Sequence, residues 1–518
     1  MTLVVQWAHT CCAFHGTLGW VVFEAASRET KQGADSVEPD FSLKLKRHNP
    51  GFKILNLGRV TTAMAHTAWT NGWTNACQQS VDVITLPVRV TIPMLHRMAG
   101  FRIGFAALVV ISNASGGQVE NWPEFRGPTG QGLSTTRNLP VEWKATADGP
   151  GTNVVWKQAI PGKGWSSPVF YDGRVYLTSA VMGGGGSRLS LRAICLNADD
   201  GRILWNAEVF SHESLTHIHE KNSYASPTPL IEGDRLYVHF GHYGLACLDL
   251  RGAIVWRNTS LVYQPVHGGG GSPILVDEKL IFSCDGASDP FVVALDKATG
   301  KVLWKTRRES DAKKKFSFST PLLIDVQGQK QVISPGSQVF CAYDPATGRE
   351  IWRVRHDGYS VVPRPVYGHG LVFVSTGFDH PVMAIRPDGL GDVTETHVVW
   401  TVSRGAPNTP SPLLVGDELY LVSDPGFASC VDAQTGKVYW QERIGGNCSA
   451  SPLYADGRIY IQDEQGLGVV IKPGRKFQKL ASNPLGERTL ASYAIGDGAL
   501  FIRGEEHLYR IQSRTIAP

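Results

Sequence analysis

Ala294-Leu295-Asp296-Lys297-Ala298-Thr299-Gly300-Lys301-Val302-Leu303-Trp304 returns as Ala342-Tyr343-Asp344-Pro345-Ala346-Thr347-Gly348-Arg349-Glu350-Ile351-Trp352. Further copies occupy 195–205 and 430–440, and one a residue shorter spans 247–256. The pattern is that of a hairpin: an Asp or Asn side chain caps the turn, Gly takes the left-handed position, and Lys or Arg commonly leads into the next strand. Trp then stands at a fixed place, suited to the gap between neighbouring sheets. Trp156, Trp205, Trp256, Trp304, Trp352, Trp400 and Trp440 hold that place, and Phe477 is read as an eighth anchor.

A second signature opens each unit. Ser167-Pro168, Ser226-Pro227, Ser272-Pro273, Thr320-Pro321, Arg364-Pro365, Ser411-Pro412 and Ser451-Pro452 precede apolar runs, with Ala491-Ser492-Tyr493 as a degenerate copy. Short turns such as Tyr171-Asp172-Gly173-Arg174 follow, then alternating strands. Each unit reads as four antiparallel strands at the ~40–50 residue period of a propeller blade. The expected fold is all-β, an eight-bladed β-propeller over 151–512. Trp156 precedes the first opening and the last unit ends without an anchor strand. An N-terminal strand around Asn153-Val154-Val155-Trp156 is therefore expected to complete the last blade, which removes an open edge.

Composition agrees with this architecture and excludes others. The 518 residues include 56 Gly, 30 Pro and 14 Trp, a turn-rich, aromatic mixture foreign to a helix bundle. A formal charge of +4 leaves no electrostatic footprint for nucleic acid. Mean hydropathy is −0.11, and no apolar run approaches the ~18 residues of a spanning helix, so no integral membrane span is expected in the mature chain. Nine Cys are too few for a disulfide-built scaffold. Cys195, Cys247 and Cys430 share one repeat position with Ala294 and Ala342, which marks them as small packing residues in separate blades.

Residues 1–93 show no sustained period and are expected to be a disordered extension outside the natural protein. From Met94 a basic stretch, Met94-Leu95-His96-Arg97-Met98-Ala99-Gly100-Phe101-Arg102, leads into nine apolar-class residues, Ile103-Gly104-Phe105-Ala106-Ala107-Leu108-Val109-Val110-Ile111. Small residues follow. This is a secretory signal pattern over 94–117, with translation starting at Met94 or Met98. An entry segment (118–150), the propeller and a tail (513–518) complete the chain, and a periplasmic or secreted location is expected.

The Asp-x-x-Thr-Gly-x-x-x-Trp copies with their Ser-Pro openings resemble the pyrroloquinoline-quinone (PQQ) repeats of quinoprotein dehydrogenases and BamB-like propellers. The leader Trp122-Pro123-Glu124-Phe125-Arg126-Gly127-Pro128 looks like the entry segment of exported bacterial propellers of this kind. The resemblance covers about residues 121–512 and implies the fold; the same scaffold serves enzymes and binding platforms.

In such a blade the inter-blade loops and the second-to-third strand loops share the face that converges on the channel. On that face, Ser211-His212-Glu213-Ser214-Leu215-Thr216-His217-Ile218-His219-Glu220-Lys221-Asn222-Ser223-Tyr224 is rich in imidazole, amine, amide and phenol. The candidate funnel residues are Trp165, His219, Lys221, Asn222, Tyr224, His267, Arg364, Asp424 and Asp463. Trp165 is placed to stack on a planar ligand, Arg364 to direct a cation toward the axis, and the carboxylates, with Asp285 and Asp379, to offer oxygens to calcium. His217 and His219 with His212 lack the partners of a zinc site, and no metal is assigned.

The expected function is an exported binding or scaffold module for a protein, peptide or carbohydrate. One alternative is a PQQ- and calcium-dependent dehydrogenase. The resemblance then implies a catalytic Asp and, in alcohol-oxidising members, an adjacent Cys pair; here the only adjacent pair is Cys11-Cys12 in the leader. A further alternative is hydrolase or lyase chemistry at the His/Lys/Tyr funnel. No P-loop, kinase catalytic loop or Gly-x-Ser-x-Gly elbow is present.

Overall fold

The computed structural model describes residues 10–14, 17–24, 42–45, 120–146 and 151–513, except 187 and 379. The chain divides into two units, 1–111 and 112–518. The first contains the strands Thr10–Phe14, Thr17–Glu24 and Ser42–Leu45, which form one antiparallel sheet in chain order. Most of 1–93, expected to be a disordered extension, lies outside the described residues. The signal pattern at 94–117 lies outside the described residues.

The second unit is an eight-bladed propeller of four-stranded antiparallel sheets. Blade 1 runs outward as Val169–Tyr171, Arg174–Gly183, Arg188–Asn197 and Ile203–His212. Blades 2 to 7 repeat the order. Blade 8 takes three strands from the end of the chain, Ala494–Gly496, Ala499–Arg503 and His507–Gln512. Its outer strand is Val154–Ala159, which pairs antiparallel with His507–Gln512 in the register Arg510 to Trp156.

One irregularity recurs in all eight blades. The outer strand carries a bulge at one fixed repeat position, held by Ala or Cys in six blades and by Val470 and Arg510 in the last two, as between Ala294 and Leu295, where Ala294 faces Trp304 and Leu295 faces Val302. A bulge re-aims a side chain, and here it turns the indole toward the next blade. Trp156, Trp205, Trp256, Trp304, Trp400 and Trp440 donate their Nε1–H to backbone carbonyls of Ala198, Leu250, Lys297, Pro345, Ala433 and Gly474, at 2.8–3.1 Å. Each acceptor lies in the third-to-fourth strand turn of the following blade. The turn is set by the Asp: Asp296 accepts from Thr299 N–H at 2.8 Å and Thr299 Oγ1–H at 2.7 Å. Gly300 then sits at φ +70°, and a β-carbon on it would meet Trp256 at 2.5 Å. The Gly of one copy is thus the seat for the Trp of the copy before.

Two junctions differ. Blade 5 replaces its turn with a longer connection whose residues Gly391–Asp392 pair in parallel with the outer strand of blade 4, Glu350–Arg355. Trp352 accordingly donates to Gln331 Oε1 at 2.9 Å, and the Gln331 amide donates to Pro387 O at 3.2 Å. The eighth anchor needs correction. Ala481, not Phe477, faces Val470 at the Trp position of blade 7. Phe477 lies in the preceding turn and meets Trp440 edge-on at 5.1 Å. The entry segment supplies the missing bulk: buried Trp143 stacks with Tyr460 at 6.4 Å and shares a core cluster with Val470 and Tyr509.

Gly173 is also left-handed, at φ +69°, but a β-carbon there would meet nothing within 4 Å. Gly173→Ala is therefore expected to cost about 1–2 kcal/mol of backbone strain, and Gly300→Ala about 1–3 kcal/mol more because it also displaces an indole. Urea unfolding midpoints of the two variants check this; equal losses would remove the Trp–Gly seat from the account of stability.

Candidate functional site

The residue two before each inner strand lines the channel, and its hydroxyl serves its neighbour. Ser167 N–H donates to Thr228 Oγ1, Thr228 to Ser272 Oγ, and Ser272 to Thr320 Oγ1, at 2.8–3.1 Å. Arg364 N–H continues to Ser411 Oγ, Ser411 to Ser451, and Ser451 to Ser492, at 2.9–3.0 Å. This belt explains why the openings favour Ser or Thr. It also corrects the second opening: Thr228-Pro229 holds the belt position of blade 2, while Ser226 donates to Asn222 Oδ1 at 2.6 Å.

The entry segment closes one end of the channel. It bridges Trp122 to Phe170 of blade 1, gives Pro123 O to Ile231 N–H of blade 2, and ends against Tyr454 of blade 7. At the crossing, Arg364 donates from Nη1 to Phe125 O at 2.6 Å and Glu124 Oε1 at 3.1 Å, and from Nε to Pro321 O at 3.0 Å. Arg364 supplies no hydroxyl to blade 4, so the belt is interrupted there and the guanidinium ties down the plug instead.

Above the plug lies a cavity of about 660 Å³ whose lining includes Phe125. One wall is aromatic: His267, Phe316, Phe318, Tyr359 and Phe378. Phe316 meets His267 edge-on at 5.0 Å, and Tyr359 stacks with Phe378 at 6.1 Å. The facing side carries the hydroxyls of Thr409, Ser411, Ser449, Ser451 and Ser492. Lys221 and Lys314 also line the cavity; Lys314 Nζ lies 4.0 Å from the Tyr359 ring centre, and the Arg488 guanidinium lies 5.8 Å from that of Trp165.

Of the sequence-predicted residues, Trp165, His219, Lys221, Asn222 and His267 line this cavity together. Lys221 pairs with buried Glu464 of blade 7 at 2.8 Å, and Ser449 Oγ donates to the same carboxylate oxygen at 2.6 Å. His219 Nδ1 accepts from Lys221 N–H at 3.2 Å, which leaves the proton of the neutral ring on Nε2. Burial pushes the His267 imidazole below its ordinary value. Asn222 is spent on structure: its amide donates to His267 O at 2.7 Å and Gly269 O at 3.2 Å.

Four predicted residues stand elsewhere. Tyr224 donates to Thr216 O at 2.7 Å and packs edge-on against Tyr243, away from His219 and Lys221. Arg364 lies under the floor. Asp424 accepts from Asn408 N–H, Thr409 N–H and Thr409 Oγ1–H; Asp463 accepts from Gly446, Gln465 and Leu467 N–H. Asp463 caps its own turn, and Asp424 ties its turn to the loop that enters blade 6. Asp285 is paired with Arg308 at 3.2 Å, both fully buried, and Asp379 lies outside the described residues.

Sequence reasoning missed Lys314, Phe316, Phe318, Tyr359 and Phe378. The signal was present in Lys313-Lys314-Lys315-Phe316-Ser317-Phe318-Ser319-Thr320. Its even-numbered members face the cavity, while Ser317 and Ser319 turn their hydroxyls to Val361 O and Pro363 O.

Calcium with PQQ fits this lining poorly. Calcium takes six to eight oxygens, carboxylates prominent among them, and no described lining residue is an Asp or Glu. Among the described residues, the one triad with metal-ligand spacing is Glu487, Glu506 and His507 in blade 8; Glu487 already accepts from His507 N–H at 3.1 Å and contacts its Nδ1 at 2.8 Å.

A disc of eight sheets around a plugged funnel, built on this repeat, defines a PQQ-like propeller. The family model described as "Outer membrane protein assembly factor BamB" matches residues 145–265, 244–389 and 388–503, and the chain belongs to that family. It is 22% identical to tetrathionate hydrolase of Acidithiobacillus ferrooxidans over 299 residues, 54% of each chain. It is 26% identical to BamB of Francisella salina over 34% of this chain and 31% of that one. It is 30% identical to the lanthanide-dependent methanol dehydrogenase of Methylorubrum extorquens over 26% and 24%. The chain thus spans about half the length of the first of these relatives and under a third of the other two. The crystal structure of BamB from Moraxella catarrhalis shares the fold at 14% identity and a TM-score of 0.50, covering 70% of this chain and 98% of that one. No helix among the described residues is long and apolar enough to cross a membrane.

Two buried histidines, His239 and His356, are expected to make stability acid-sensitive. His239 contacts Gly271 O through Nδ1 at 3.2 Å, and His356 contacts Gly336 O through Nε2 at 3.2 Å. Burial pushes their pKa values down to about 4 and about 3. The unfolded chain, near 6.5, binds these protons more readily, so stability rises with pH across the window and is lost as pH falls from about 6.5 toward 4. Thermal unfolding from pH 7 to 4 should show this loss, with a shallower slope in His239→Gln; identical slopes would exclude His239 as a contributor.

Proposed function

We propose that this chain is an exported binding module that takes a peptide segment of a partner protein into the funnel. The observation that carries the reading is one cavity that combines a cluster of aromatic rings, His267, Phe316, Phe318, Tyr359 and Phe378, with a belt of hydroxyls, and has Lys221 and Lys314 among its lining. Aromatic rings bury apolar side chains at low entropic cost. The hydroxyls suit peptide amides, and the amines favour acidic residues. Membership of a family described as an outer-membrane assembly factor supports a protein partner, and the leader pattern at 94–117 supports export. Two observations weigh against enzymatic readings. No described lining residue offers calcium a carboxylate, and Tyr224 is turned away from the His219–Lys221 pair.

Peptide and glycan arrays probed with the full chain test the proposal. Acidic, aromatic-containing peptides are expected to bind, with affinity reduced roughly tenfold or more in Lys314→Ala and Phe318→Ala, about 1.4 kcal/mol or more each. Exposed Lys476 is the control, and Lys476→Ala should bind unchanged. Glycan binding alone, tetrathionate turnover, or dye-linked alcohol oxidation on adding PQQ and calcium would overturn the peptide reading. Export is checked separately by expressing the chain in a bacterial host: a periplasmic product with its N-terminus near Gly117 is expected, and a cytoplasmic product starting at Met1 would refute it.

A further inference from the structure

We propose that Arg126, on the plug that closes the channel, holds a small monovalent anion at a site separate from the funnel. Arg126 is 2% exposed and does not line the cavity. Its Nη2 donates to Gln131 O at 2.7 Å, but its Nε and Nη1 make no hydrogen bond among the described residues. Leaving donors of a buried cation unmet costs more than leaving those of a neutral group unmet, because the charge as well as the N–H groups has lost water.

The other buried arginines show how this chain normally treats such a group. Arg308 directs its nitrogens to Asp285, Ser283 and Ser334, and its charge is matched by Asp285. Arg364 is matched by Glu124. Arg503 also has bare nitrogens, yet the Glu487 carboxylate lies close enough to oppose its charge. Around Arg126 the balance has the other sign. The charge felt there is the Arg364 guanidinium, a second cation, whose carboxylate partner is already engaged. Two guanidiniums and one carboxylate leave one positive charge uncompensated under the floor, and a monovalent anion neutralises it while accepting from one of the two bare donors, Nε or Nη1.

The backbone is built around this side chain. Arg126 itself is left-handed, at φ 67°, where a non-glycine residue is strained, and such strain is retained where the surroundings over-determine it. Gly132, at φ +81°, lies against the guanidinium: a β-carbon there would stand 2.7 Å from Nη2 and 3.1 Å from Nε. Gly132 N–H donates back to Arg126 O at 2.9 Å, so the turn from Arg126 to Gly132 closes around the charge.

The test uses the full chain in sodium chloride, sodium bromide or sodium gluconate at equal ionic strength. The wild-type unfolding midpoint is expected to rise saturably with chloride or bromide and not with gluconate, and Arg126→Gln to lose that dependence. Crystals grown in bromide should show an anomalous peak within hydrogen-bond distance of Arg126 Nε or Nη1. The same halide response in Arg126→Gln, or no bromide peak beside Arg126, overturns the proposal. If Arg126→Gln does not fold, the bromide peak in the wild type decides alone.

Discussion

The ring depends on an indole resting on a glycine that belongs to the next blade. Neither partner can be supplied within one blade: Trp256 needs Gly300 and the Lys297 carbonyl, and Trp304 in turn needs Gly348 and Pro345. Six of the eight junctions are made this way, and one of them joins the last blade to the first. At that junction Trp156 and Arg510 both donate to Ala198 O at 2.8 Å, and Arg510 adds Asp199 at 2.9 Å. The junction between blades 1 and 2 is doubled in the same way, with Trp205 and Arg174 both donating to Leu250 O. Arg510 can be accommodated because it occupies the repeat position that Cys195, Cys247 and Cys430 hold in other blades, facing Trp156.

Because neighbouring blades are fastened through turns on one side, the loops entering from the other are free to differ. The differences are concentrated there: a histidine-rich loop before blade 2, a glycine run before blade 3, a lysine–phenylalanine run before blade 4. The channel between them is shaped by a second repeated device, the hydroxyl belt, and by its one substitution. Arg364 removes a hydroxyl from the belt and contributes a guanidinium that reaches the plug. A local rule of the repeat is broken where the chain needs a floor, and Phe125 becomes the base of the cavity as a result.

Blade number, strand order and anchor positions were legible because they rest on short-range chemistry repeated many times. An Asp or Asn that caps, a Gly that turns left-handed and a Trp four residues on recur often enough to be read without coordinates. The failures came where an effect crosses blades. Phe477 resembles an anchor in spacing, but the bulge of blade 7 places Ala481 at the gap, and the filling residue, Trp143, comes from more than 330 positions earlier. Ser226-Pro227 and Thr228-Pro229 are equivalent as dipeptides, and only the belt distinguishes them. Asp424 and Asp463 look like ligands in a loop, yet backbone N–H groups take their oxygens, those of the loop entering blade 6 for Asp424 and those of its own turn and the loop entering blade 7 for Asp463. Lys314, Phe316 and Phe318 were overlooked because a lysine run reads as solvated surface unless its alternation is followed into the strand opening.

The electrostatics of the funnel follow from these placements. With Asp424 and Asp463 spent on backbone N–H groups, the charged side chains among its described lining residues are both amines. Lys221 is restrained by buried Glu464, whose carboxylate also receives Ser449. Lys314 has no such restraint; it lies over the Tyr359 ring, a position that leaves its charge available while its stem covers aromatic surface. An acidic group entering the funnel therefore meets Lys314 at less cost than Lys221, since engaging Lys221 fully would require separating it from a carboxylate that is itself out of water. The two amines have the same formal charge and unequal roles: Lys221 braces the loop before blade 2 against blade 7, and Lys314 is free to meet a ligand.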